Sequence, residues 1–206
     1  MPKTIVDPRL TLLFIATLSC SRGVDVNTAT PPERSYRVHI TFAAPDSLES
    51  AAEEYRRIWA AEGDRMVEAM ERTTGLRFVH EHYADTNIRA NVIERASNSG
   101  YRDSPMTMRA SYPADTKRAT LMHELGHRLM GGLFRREEEE HDFLFLWLYD
   151  AWSLLYGSAF ADAQVAIEKR RGQRYVDAWN SALASDSAGR ARRWREIRDE
   201  RLPTRR

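Results

Sequence analysis

The sequence predicts an α+β fold, and three observations carry that prediction. Segments with strand-like alternation crowd into the stretch before residue 113. One long helical period, over residues 45–75, falls between the first of them and the rest. From residue 114 onward the apolar residues recur at helical spacing. Segregation of strands from helices, rather than strict alternation, argues α+β over a doubly wound α/β sheet. The chain has 206 residues, 42% of them apolar and 10% aromatic, enough for one domain with a sizeable core.

At the start, Lys3 and Arg9 accompany an apolar run from Leu10 to Leu18. The run has the size of a secretory h-region and is too short to span a bilayer as a helix. It ends in Thr17-Leu18-Ser19-Cys20, which resembles a bacterial lipobox with Thr17 where leucine is favoured. Residues 1–19 are therefore expected to be a signal peptide. Cys20 is expected to be lipidated, and residues 20–35, with Pro31-Pro32, to form a polar tether. The expected location is the cell envelope, with an anchor at Cys20, the alternative being secretion after ordinary cleavage of the leader. As the sole cysteine, Cys20 leaves no disulfide and no Cys-based zinc cluster within one chain.

The folded part is expected to start at Tyr36. Tyr36 to Phe42 alternates and reads as a first strand. Pro45-Asp46-Ser47 stops it and caps a helix on which Leu48, Ala52, Tyr55, Ile58 or Trp59, Met66 and Met70 share a face. Gly63 inside that run predicts a kink or split, and Gly75 suits the position just past the helix end. Leu76–His80, Ile88–Ile93 and Met106–Tyr112 read as three further strands. Pro113 and Asp115 open the next helix, with Asp115 or Thr116 as its cap, and Gly131-Gly132 ends it. The apolar run from Phe143 to Leu155 is long enough to be a buried helix. Residues 36–157 make up the expected core domain. Residues 158–206 are expected to be helices packing on it or extending from it.

The second helix signal carries the chemistry, in His123-Glu124-Leu125-Gly126-His127. Residues four apart lie on one helical face, so His123 and His127 can aim two imidazoles at one metal ion. Glu124 is rotated away from both and can reach a water beside that ion. Leu121, Met122, Leu125 and Leu129 give the same helix an apolar face, which predicts that it is packed.

At this motif the chain resembles the zincin metallopeptidases. The resemblance spans residues 36–157 in element order, and its specific stretch is Thr120 to His127. It implies a small mixed sheet, a long packing helix and a motif helix. It implies Zn²⁺ held by His123 and His127, with Glu124 as general base in the attack of zinc-bound water on a peptide bond. It also implies that the last strand, Met106–Tyr112, is an edge that pairs with extended substrate. The metzincin subclass is excluded, because Met130 and Leu133 stand where it needs glycine and histidine.

The third ligand stays open among three residues. His141 is favoured by ligand type, neutral imidazole being a strong zinc ligand. Asp150 is a carboxylate in an apolar helix and so must have a partner, metal or otherwise. Nine residues, about 13 Å along a helix, separate these two, so they are alternatives. Glu138 is the third, although the Glu137–Glu140 run reads more simply as a solvated charged stretch.

The remaining features point elsewhere. His80, His82, Tyr149 and Tyr156 are the candidates for oxyanion stabilisation. Trp147, Tyr149, Trp152 and Tyr156 read as core. The Arg-rich end is interleaved with Glu196, Asp199 and Glu200, as in a solvated helix. A formal charge of +1 gives no argument for a nucleic-acid partner. The expected partners are a peptide or protein substrate and, through Cys20 alone, a membrane, with the chain a monomer. The competing expectation is an envelope lipoprotein whose metal is structural or binds a partner without turnover.

Overall fold

The computed structural model describes residues 36–79, 86–100, 104–134 and 139–202. The expected signal peptide, Cys20 and the tether lie outside the described residues, as do His80, His82 and Glu138. The architecture is α+β. Three strands are described: β1 (His39–Ala43), β2 (Asn87–Ile93) and β3 (Met106–Arg109). The helices are α1 (Glu49–Thr74), α2 (Ala114–Leu129), α3 (His141–Tyr156), α4 (Ser158–Glu168), α5 (Gln173–Leu183) and α6 (Ser187–Arg201).

The sheet has the order β1-β2-β3, and both pairings are parallel, with Ile40 opposite Ile88 and Val92 opposite Met108. The expected mixed sheet is thus corrected. A parallel pair needs a crossover rather than a hairpin, and α1 sits between β1 and β2 in the chain. Along β2, Ile88, Ala90 and Val92 are buried while Asn87, Arg89 and Asn91 are exposed. One face of the sheet therefore covers the core.

The strand expected at Leu76–His80 does not form over its described part. Leu76 and Phe78 are buried, but their backbone N–H groups are taken by the Thr74 hydroxyl and the Glu71 carboxylate. With those donors satisfied by side chains, the segment has no need of a ladder.

Helix α1 runs unbroken through Gly63. A Cβ there would come 2.7 Å from the Trp59 ring, so this glycine makes room for Trp59 rather than marking a break. The helix ends where expected, at Gly75, whose φ of 68° suits glycine and whose N–H reaches Glu71 O.

Helix α3 is the hub of the described helices, packing against α1, α2, α4, α5 and α6. Leu144, Phe145, Trp147, Leu148 and Trp152 on it are fully buried. Trp179 of α5 stacks on Phe145 at 3.9 Å, and Trp194 of α6 donates to Thr74 O. Each such side chain contributes roughly 1.5–3 kcal/mol by leaving water. Residues 34–206 form one compact unit, with α4–α6 folded onto α3.

Candidate metal centre

Helix α2 carries the motif into the interior. Leu121, Met122 and Leu125 anchor it, and His123 and Glu124 are 1% and 2% exposed. Its N-cap is Pro113, with no side-chain cap. Asp115, expected as a cap, lies in the first turn and pairs with Arg118. At Gly126 a Cβ would meet Leu144 Cδ1 at 2.6 Å and Trp147 at 2.8 Å. The glycine within the motif therefore lets α3 approach α2 closely. The same approach brings His141, the first residue of α3, to the two motif histidines.

His123, His127 and His141 form a cluster whose potential ligand atoms all lie within 4.8 Å of one another. The Nε2 atoms of His123 and His127 are 3.3 Å apart. Two nitrogens each about 2.0–2.1 Å from a tetrahedral zinc would be separated by about 3.3 Å. His141 Nε2 is buried and has no partner. A buried unpaired polar atom is costly, and a cation between the rings would satisfy it. The donor set could therefore hold a metal ion.

Each ring is held from behind by a carboxylate. His127 Nδ1 is 2.7 Å from Glu140 Oε2, and His141 Nδ1 is 2.7 Å from Glu139 Oε1. His123 Nδ1 is 2.7 Å from Glu168 Oε1, a close polar contact that lies off the direction of a well-formed N–H···O bond. The second oxygen of Glu168 accepts from Trp179 Nε1 at 2.9 Å. A carboxylate on Nδ1 fixes the tautomer that leaves Nε2 free to ligate.

The electrostatics follow from burial and these pairs. Burial pushes His123 down to about 4 against the pull of Glu168, so its ring is neutral near pH 7. Burial and the charge of His127 also lower His141. Burial works to lower His127 as well, but the Glu140 bond and the Glu124 charge carry it above its ordinary value. Glu140 is held low by its bond from His127. Burial works to raise Glu168, but His123, Arg171 and Trp179 together bring it below its ordinary value. Glu124 lacks such a partner, and burial pushes it up to about 7 against the pull of His127 and Arg171.

The other sequence candidates lie elsewhere. Asp150 receives two bonds from Arg190, at 2.9 and 2.7 Å, so its required partner is an arginine of α6. The Tyr149 hydroxyl donates to Asp162, and the Tyr156 hydroxyl to Glu62. The tyrosine beside the imidazoles is Tyr175, whose ring centroid is 4.6 Å from that of His141. Glu139, Glu140, Glu168 and Tyr175 were not singled out by sequence reasoning. The one available signal was the position of Glu139 and Glu140 directly before His141. Nothing local in α4 or α5 marks Glu168 or Tyr175.

The outer edge of β3 is also not as expected. Thr107 exchanges both backbone bonds with Asn98, at 2.9 and 3.0 Å. Arg109 N–H is taken by Ser97 Oγ, and Arg109 O accepts from the Tyr55 hydroxyl. Arg128, the residue after His127, fastens this strap by donating to Ser99 O and Ser104 O. The outward backbone groups of Thr107 and Arg109 are thus occupied by the protein itself.

No family model matches the chain, and no curated protein and no solved structure matches it either.

Proposed function

We propose that this protein is a zinc-dependent peptidase with a zincin-like centre. The observation that carries the reading is the convergence of three imidazoles, each backed by its own carboxylate, beside a buried glutamate. His123, His127 and His141 would hold the ion, which leaves a coordination position for water or substrate as in catalytic rather than structural zinc sites. The chemistry that a bound Zn²⁺ supplies is polarisation of a carbonyl and a lowered pKa for water. Glu124 takes a proton from the attacking water and delivers it to the leaving amine. Glu139, Glu140 and Glu168 keep the three rings in the ligating tautomer. The leader-like residues 1–20 support export and attachment through Cys20, which incorporation of labelled fatty acid into wild type but not Cys20→Ala would test.

The covered β3 edge favours one second reading, in which the metal supports the fold or a partner and nothing is hydrolysed. Glu124→Gln separates the two. The peptidase reading expects zinc stoichiometry to stay at wild type while casein or peptide-library hydrolysis falls by about 10²- to 10⁴-fold, the usual contribution of a general base. Equal hydrolysis by both proteins would remove Glu124 from the mechanism, and none by zinc-loaded wild type would favour the second reading.

A further inference from the structure

Arg171 stands at the side of the metal centre with its charge uncommitted. It ends the 3-10 turn that joins α4 to α5, and it is partly buried. Its guanidinium carbon lies 5.4 Å from the centroid of the Tyr175 ring. Tyr175 in turn packs on His141, at 4.6 Å, and stacks along His123, at 6.3 Å between centroids. Arg171 is therefore one ring away from the imidazoles, on the flank formed by the start of α5.

The neighbouring carboxylates do not use it up. Glu168 and Glu124 are near enough to act on Arg171 through their charge. Yet Glu168 spends one oxygen on His123 and the other on Trp179. Among the described residues the hydrogen-bond partner of Arg171 is the Tyr175 side chain, and no carboxylate lies within ion-pair distance. By contrast, Arg174, one turn along, is paired with Glu139, and the buried Arg190 is paired with Asp150. A guanidinium presents five donors in a planar fork suited to a carboxylate. None of the Arg171 nitrogens is both fully buried and unpartnered, so its remaining donors are open to water and free to take up an incoming anion.

We infer that Arg171 is the anchor for a carboxylate of the substrate, so that the site selects peptides with a negative charge close to the scissile bond. This rests on the peptidase reading and gives it a substrate class. The carboxylate can be a peptide's C-terminal group or an acidic side chain, since both offer the same two oxygens. The inference also fits the covered outer edge of β3. With those backbone groups occupied, affinity must come from elsewhere, and a charged anchor beside the metal supplies it.

The test uses the zinc-loaded full chain carrying Glu124→Gln, with peptide binding measured by calorimetry. One probe pair is N-acetyl-trialanine with a free C-terminus against its C-terminal amide. The other is an internal aspartyl peptide amide against its asparaginyl counterpart. The expected result is tighter binding of the charged member in one pair, by about 10- to 100-fold, the usual worth of a hydrogen bond to a charged group. The discriminating pair identifies the source of the carboxylate. Arg171→Gln should erase that preference and leave the neutral peptide's affinity unchanged, and Arg171→Lys should retain part of it. If Arg171→Gln does not fold, the partial loss in Arg171→Lys decides. Equal binding within both pairs, or a preference that survives Arg171→Gln, overturns the inference. An equal fall in kcat for charged and neutral substrates in the otherwise wild-type Arg171→Gln enzyme also overturns it, by making Arg171 a stabiliser of the reacting oxygen. Failure of the underlying reading looks different: wild type would bind no zinc or hydrolyse nothing.

Discussion

The candidate metal centre has two parts built in opposite ways. The turn from His123 to His127 is local: five consecutive residues of one helix set two imidazoles and a carboxylate by spacing alone. The carboxylates behind the rings are not local. Glu139 and Glu140 come from the link before α3, and Glu168 comes from the end of α4. The difference teaches that donor atoms can be written in a short motif, whereas their direction and tautomer depend on chain brought in from far along the sequence.

The sharpest test of that contrast is to remove a ligand and then an orienting group. His141→Ala is expected to abolish zinc binding at micromolar metal, as read by stoichiometry after dialysis. Glu168→Gln should weaken zinc by about 10- to 100-fold, the range found for groups that hold a ligating histidine. Both partners there are nearly inaccessible, with side chains 1% and 4% exposed, so the upper end of the range is expected. Glu140 is 47% exposed, and water can replace much of what it does, so Glu140→Gln should fall at the lower end. Zinc held equally tightly in all three variants would dissolve the distinction between ligand and support.

How much of this was legible in the sequence follows the same division. The α+β class, the long helix with its end at Gly75 and the buried helix after Phe143 were readable, because apolar period and glycine placement are local signals. The motif histidines were readable for the same reason, and His141 was singled out from its ligand type. The strand at Leu76 was misread because its alternation is real but its N–H groups are satisfied by Glu71 and Thr74 side chains. The mixed sheet was expected from a resemblance rather than from any residue. The link at Glu137–Glu140 was read as solvated because charge runs usually are. That Glu139 and Glu140 each face an imidazole depends on how α3 docks on α2.

Gly126 sharpens the comparison from inside the motif, since its role is tertiary rather than chemical. Alanine there gains helix propensity worth roughly 1 kcal/mol. Against this, its Cβ would meet Leu144 and Trp147 at 2.6 and 2.8 Å. Leu144 can move a methyl, but Trp147 is 1% exposed and has no space to retreat. Overpacking of this kind costs about 1–3 kcal/mol, so the net expectation for Gly126→Ala is a modest loss of stability in urea melts. Zinc affinity should fall with it, because pushing α3 away moves His141. A stabilised variant with unchanged zinc affinity would show that the two helices are not in register-setting contact.

The smallest effect on the metal is expected from Asp150, which separates burial of a charge from membership of the site. An acid in an apolar helix must have a partner, but nothing in α3 itself specifies which. Arg190 of α6 takes both oxygens and also donates to Ser185 O. Asp150→Asn would leave that guanidinium, 6% exposed, without its counter-charge. Breaking a fully buried pair costs about 3–5 kcal/mol, and some water at Asp150 brings the expectation down to roughly 1–3 kcal/mol. The loss should appear in chemical denaturation with zinc stoichiometry unchanged. Leucine at both positions, which removes the unpaired charge as well, should recover much of the stability if desolvated charge is the cause. A fall in zinc content in Asp150→Asn at temperatures where the protein stays folded would instead return Asp150 to the metal centre.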